Sequence, residues 1–275
     1  MGLNLVRNVI KAPGEILGNL YVYRHILSQM VKREIKGRFA GSMGGLLWHF
    51  VHPILMLLIF LFLFVYIFKL RVSATGGAGT SAIYLMAGLF PWMILAEGLS
   101  RGTSSLIENA SLIQKTFFPT EILTAKAVIA PFLSYGVAIL LLAAYAVVVG
   151  GHIGIVLALP LILLLQLLFT LGMTFLSATI SVFFRDVMQL VQIVVSFWAY
   201  VTPIFYPLSM LPGWARSLMY LNPLFPFVAN YQSLFLEGRP APLHVCLLAL
   251  AWSFSVFVFG AFIFNKLKYE FADWL

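Results

Sequence analysis

The sequence predicts an all-α protein that crosses a membrane six times, and three observations predict it. Hydrophobic residues make up 62% of the 275, and charged residues only 9%. That is far below the roughly 25% charge of an ordinary water-soluble domain, too little to cover a globule of this size with a surface that water accepts. Second, the apolar residues gather into six runs near the length of about 20 residues that spans a bilayer. Third, the charge that remains is sorted along the chain, with 17 Lys and Arg against 9 Asp and Glu for a net of +8.

The expected spans are 46–68, 82–99, 127–149, 153–184, 187–205 and 243–264. The fourth exceeds what a straight crossing needs, so it is expected to tilt or to extend past the bilayer. Pro203 lies in the end of the fifth and should kink or terminate it, because proline has no N–H to give to the preceding turn. The first fifty residues lack a cleavable apolar core, so the first span is expected to be retained. Thirteen of the seventeen basic residues, seven of them before the first span, fall on one side of this topology. The positive-inside rule therefore places both ends of the chain in the cytoplasm. It also reads the +8 as topology, with no nucleic-acid partner implied.

Residues 1–45 form a cytoplasmic segment, and 46–270 the membrane domain. From Tyr23 to Ile35, apolar Tyr23, Ile26, Leu27, Met30, Val31 and Ile35 recur at helical spacing, with Arg24, Lys32, Arg33 and Lys36 filling the other face. This is the pattern of an amphipathic helix lying in the interface. It serves either as an anchor on anionic membrane lipid or as a lever for a cytoplasmic partner; Arg38 follows it. Glycines 37, 41 and 45 either permit close helix approach or let the chain turn into the first span. His49 and His52 have no carboxylate or cysteine beside them, so no metal site is expected.

Several functions are disfavoured by what the sequence lacks. Glu97 is the one acidic residue within an expected span, so the gathered acid and base groups of an intramembrane enzyme are missing. HExxH and the nucleotide-binding GxxxxGK[ST] are both absent. No internal repeat of the kind that ion-coupled carriers carry is present. Cys246 is the single cysteine, which excludes an intrachain disulfide. No catalytic residue, metal or cofactor is therefore expected on this chain.

Aromatic residues are abundant: 25 Phe, 11 Tyr and 6 Trp. Tyr66 in the first span, and Phe197, Trp198, Tyr200, Phe205 and Tyr206 around the fifth, face either lipid or a path where their rings stack on sugars. The stretch 207–242 is too apolar for an exposed loop and too broken by proline for a span. Re-entrant or interfacial helices fit it, either as an outer gate or as a packed cap.

The sequence also resembles a known family. Gly37-Arg38-Phe39-Ala40-Gly41-Ser42, Gly45-Leu46-Leu47-Trp48 with Pro53, and Gly88-Leu89-Phe90-Pro91-Trp92 carry the likeness. So do Asn109 to Lys115, Phe118-Pro119-Thr120-Glu121, Phe184-Arg185-Asp186-Val187, Pro203-Ile204-Phe205-Tyr206-Pro207 and Asn222-Pro223-Leu224. In order and over residues 20–270, these are similar to the permease subunits of polysaccharide-exporting ABC transporters of the ABC-2 type. That family includes the O-antigen, capsule and teichoic acid exporters.

The resemblance implies a bacterial inner-membrane permease paired with a second copy of itself and with two P-loop ATPase subunits that bring the ATP and magnesium. It implies that 108–124 is the coupling segment received by the ATPase, with Asn109, Lys115, Phe118, Pro119 and Glu121 as contacts, and that Arg185 and Asp186 form a second cytoplasmic turn. Tyr66, Glu97, Trp198, Tyr200, Phe205 and Tyr206 would line the path of a lipid-linked polysaccharide, with 207–242 as its outer gate. The alternatives are an ABC-2 exporter of a drug or lipid, and a membrane enzyme acting on polyprenyl-linked glycans.

Overall fold

The computed structural model describes residues 2–37, 47–67, 69, 78–116, 118–150 and 154–275. Among them every regular element is a helix, so the all-α expectation holds. Four helices are long and apolar enough to cross a membrane: α4 (Ala78–Glu108), α6 (Thr120–Gly150), α7 (Gly154–Phe183) and α11 (Leu243–Leu267). α8 (Val187–Val201) is apolar but has only 15 residues. α3 (Trp48–Phe60) continues as a π-helical stretch, Leu61–Ile67. Two helices precede these, α1 (Gly2–Val22) and α2 (Arg24–Gly37), which hinge at Tyr23. The short α5 (Ala110–Lys115) joins α4 to α6. Beyond α8 come α9 (Gly213–Leu218) and α10 (Phe225–Glu237), and α12 (Phe271–Trp274) follows α11. Arg38 and the glycine-rich sequence after it lie outside the described residues.

The helix ends explain where the sequence-based limits fell short. Hydropathy stops near Leu99, yet α4 runs on through Arg101-Gly102-Thr103-Ser104-Ser105 to Glu108. Its hydroxyls spend their protons locally, Thr103 Oγ1 lying 2.6 Å from the Leu99 carbonyl and Ser105 Oγ 2.6 Å from that of Gly102. A polar stretch can therefore stay helical inside the bundle, because these donors are met within one turn. α8 ends earlier than the expected span, at Val201. Thr202 turns to an extended conformation just before Pro203, as the residue before a proline prefers.

α4, α6, α7 and α11 form the centre, with α7 touching each of the other three. Lipid tails are as apolar as leucine, so association must come from close packing and hydrogen bonds. Both are present. At the α7–α11 crossing, a Cβ on Gly260 would run into the backbone of Gly172, and one on Gly172 would meet Val256 O at 2.5 Å. Where α4 crosses α7, Gly102 lies under the side chain of Thr174. A seam of buried polar residues, Gln166, Thr170, Thr174, Ser177 and Ser181, runs down α7 at steps of three and four. It is tied to α4 by Thr103 Oγ1 to Ser177 Oγ at 2.8 Å and Ser181 Oγ to the Thr103 carbonyl at 2.6 Å.

Two apolar clusters fill the bundle. One, around Leu89, Ile94, Phe169, Phe227 and Tyr231, includes α10. The other, around Ile16, Leu123, Phe175, Phe264 and Phe271, lies at the end where α4 stops and α6 starts. α1 is buried there against α11 through Ala12 and Ile16.

Candidate functional site

The end of the bundle where α4 and α7 finish collects α1, α2, α5, α12 and the turn 184–186. α5 is a single short helix pinned by Ile113, which is buried, while Ser111, Gln114, Lys115 and Thr116 stay exposed. Asn109 bends the chain out of α4 and holds the bend by donating from Nδ2 to the Ser105 carbonyl at 2.7 Å. Pro119 then directs the chain into α6, where Glu121 sits in the first turn. A carboxylate there is favoured by the positive end of the helix dipole. Glu121 is only 1% exposed. Its Oε1 accepts from Asn19 Nδ2 of α1 at 2.5 Å and lies 3.5 Å from Lys268 Nζ, just after α11.

Beside this clasp lies a groove of about 500 Å³. Lys115, Phe118 and Pro119 form one wall, and Lys268, Tyr269 and Ala272 the other. Of the residues expected to meet a partner, Lys115 is exposed, Phe118 and Pro119 are half-buried, and Glu121 is engaged within the chain. Arg185 and Asp186 are exposed in the turn from α7 to α8. Asp186 occupies the N-cap of α8 without a capping hydrogen bond from its side chain. The ring of Trp274 in α12 stands 5.3 Å from that of Phe183, and α12 touches α5, so both expected cytoplasmic turns share one end of the molecule.

A second charged group fastens α2. Arg101 of α4 lies 2.8 Å from Glu97 and 2.8 Å from Glu34, and Lys126 of α6 lies 3.5 Å from the other oxygen of Glu34. Glu97 is therefore engaged with Arg101 one turn along α4. Arg33 and Lys36 flank a shallow hollow on α2.

The aromatic candidates divide into two sets. Tyr66 and Tyr200 are 69% and 62% exposed. Phe205 is buried, and Trp198 and Tyr206 are half-buried. Trp198 Nε1 donates to Asn222 Oδ1 at 2.7 Å, and Asn222 Nδ2 reaches Thr202 Oγ1 at 3.0 Å. Tyr206 Oη donates to the Val201 carbonyl at 2.9 Å. These three thus shape the turn that ends α8, while Tyr66 and Tyr200 project outward.

Sequence reasoning picked out Tyr200 but missed the other members of a polar row on α8. Gln189, Gln192, Ser196 and Tyr200 follow at steps of three, four and four, and all are exposed. The spacing was available as a signal, but the strong apolar character of the span masked it. It also missed Asn19 and Lys268, whose partner lies more than a hundred positions away in sequence.

At the other end, α10 is buried against α4 and α7. Tyr231 Oη donates to Gln166 Oε1 at 2.7 Å, and Gln166 Nε2 donates to the Pro91 carbonyl at 2.7 Å. Gln232 Nε2 reaches the Pro203 carbonyl at 3.0 Å, and Tyr84 Oη lies within 2.9 Å of the Pro203 and Tyr206 carbonyls. α9, by contrast, is mostly exposed.

Residues 26–236 match the family model described as ABC-2 type transporter. Among curated proteins, the chain is 32% identical over 265 residues to the O-antigen export system permease protein RfbA of Myxococcus xanthus, covering 94% of this chain and 98% of that protein. It is 29% identical over 257 residues to the RfbA permease of Klebsiella pneumoniae, covering 93% and 96% of the two. The family match runs from within α2 to the end of α10 and takes in α4 to α8 with the short α5. With the membrane-length helices and the motifs in their expected order, it makes this chain a member of the ABC-2 type transporter membrane family.

Proposed function

We propose that this chain is the membrane-spanning subunit of an ATP-driven exporter that moves a lipid-linked polysaccharide across the bacterial inner membrane. The observation that carries the reading is end-to-end similarity to two O-antigen export permeases. In this reading the chain crosses six times with both termini cytoplasmic, the short α8 and the stretch 48–67 supplying the two crossings beyond the four long helices. The end bearing α1, α2, α5 and α12 faces the cytoplasm. It carries most of the basic residues, as the positive-inside rule requires.

The permease works as a pair with a second copy. Each copy seats one P-loop ATPase against α5, and that subunit supplies ATP and magnesium. α8 turns its row of Gln189, Gln192, Ser196 and Tyr200 toward the glycan, for which a polar face on an apolar helix is suited. Tyr66 adds an exposed ring for stacking on sugars. Closure of the ATPases pushes α5; the buried α4–α7 seam carries that push as a unit, while α3 and α8, more lightly attached to the core, separate and close.

Reconstitution of the purified permease with its ATPase in liposomes tests the reading. Lipid-linked O-antigen should reach the far side only when ATP and both subunits are present. Replacing Tyr200 by Ala should lower that transport while the complex still assembles and hydrolyses ATP. Transport equal to the parent protein would remove α8 from the path.

A further inference from the structure

The groove beside α5 has a second wall that the coupling segment does not supply. Lys268 and Tyr269, with Ala272 of α12, face Lys115, Phe118 and Pro119 across it. Phe271 is fully buried against Phe264, their rings 5.3 Å apart, so the wall is anchored to the core. Its position relative to α5 is set by charge: Lys268 Nζ is 3.5 Å from the buried Glu121 carboxylate, which Asn19 also holds. The same ammonium lies 5.5 Å from the centroid of the Tyr269 ring. Tyr269 is itself 80% exposed, a large ring presented at the rim. With Glu121 spent inside, the exposed charge on the opposite wall is the Lys115 ammonium, which suits an acidic occupant.

We propose that the segment 268–275 is the second half of the ATPase seat: an acidic surface segment of the ATPase lies in this groove between α5 and Tyr269, and the Glu121–Lys268 pair is the positioning clasp that sets its width. This rests on the reading of the chain as an ATPase-driven permease. Tyrosine is among the residues enriched at protein interfaces and at their energetic hot spots. The clasp ties α1, α6 and the segment after α11 together behind α5. Thrust received at the seat therefore spreads into three helices at once.

Photo-crosslinking in the assembled exporter tests this directly. p-Benzoylphenylalanine is placed at position 115, at 269, or at 210, where Met210 is exposed beyond the far end of α8. Positions 115 and 269 should both capture the ATPase, and 210 should not. Capture from 115 with none from 269 overturns this inference and leaves the transporter reading standing; capture from neither overturns the placement of the ATPase at this end.

Two variants then test the clasp. Tyr269→Ala and Lys268→Met should each lower the glycan moved per ATP by about five-fold, within the usual range of coupling between sites. Lys268→Arg should restore most of it by keeping the charge beside Glu121. Unchanged coupling in Tyr269→Ala, whose side chain supports no buried packing, would also overturn the proposal.

Discussion

A carboxylate with 1% exposure, at the boundary of a membrane bundle, needs its charge met within the protein, and Glu121 meets it through Asn19 and Lys268. Removing one partner of a buried pair leaves the other uncompensated, which typically costs about 3 kcal/mol or more. Lys268→Met should therefore lower the melting temperature in detergent clearly, whereas Glu121→Gln keeps an acceptor for Asn19 and leaves unpaired only Lys268, the more exposed partner, so it should cost less. Equal melting of both variants would show that an unpaired carboxylate at this position carries no extra penalty.

Gly260 makes the sharper steric case. A Val there places carbon into the backbone of Gly172, and α11 must move off α7. Overpacking of this kind costs about 1–3 kcal/mol or more, and the variant should elute as aggregate or melt far earlier than its parent. Trp198→Phe keeps the ring but loses the bond to Asn222, so it should cost about 1 kcal/mol and loosen the turn at Thr202.

At the scale of elements, what was legible in the sequence followed from local composition. The apolar runs of α6, α7 and α11 stood out because each is long and nearly free of charge. Pro203 marked the end of α8 because its effect on the chain is local. α1 escaped notice, since Pro13 lies within it and its buried stripe of Ala12 and Ile16 is narrow. The far end of α4 escaped because its serines and threonines read as loop, although Thr103 and Ser105 each find an acceptor within one turn. The site was legible as segments, with α5 and the turn 184–186 both anticipated. Its internal pairings were not. Glu121 with Lys268, and Glu34 with Arg101 and Lys126, join positions far apart in sequence, and only the crossing geometry of the helices brings them together.

The element with the least support is α8, whose outer side carries Leu190, Ile193, Val194 and Phe197 beside the polar row. In a Cys246→Ser background, cysteines introduced singly at 192, 196 and 200 should form disulfides between two copies, or be protected from thiol reagents by substrate. A cysteine at Leu157, exposed on α7, should do neither. Reactivity at all four positions alike would mean that α8 faces lipid.

For the whole molecule, the scarcity of charge and its sorting to one end belong to the same design. Few charges can be placed at membrane depth, so those kept are spent on fastening. Glu34, Glu97, Arg101 and Lys126 tie α2 to α4 and α6, and Glu121 and Lys268 tie the segment after α11 to α6. Lys115 and the basic residues of α2 remain outward, available to a partner and to anionic lipid. The central four helices, packed through glycine and hydroxyl, form the body to which α3 and α8 attach more lightly.

The most direct test of glycan export by this permease is vectorial transport in liposomes that hold it with its ATPase at known orientation. Lipid-linked O-antigen serves as substrate, and a membrane-impermeant lectin on the outside reports its arrival. Lectin-bound glycan should accumulate with ATP and require both subunits. ATP hydrolysis that moves a small amphiphile but no glycan, or glycan movement by the permease alone, would contradict it.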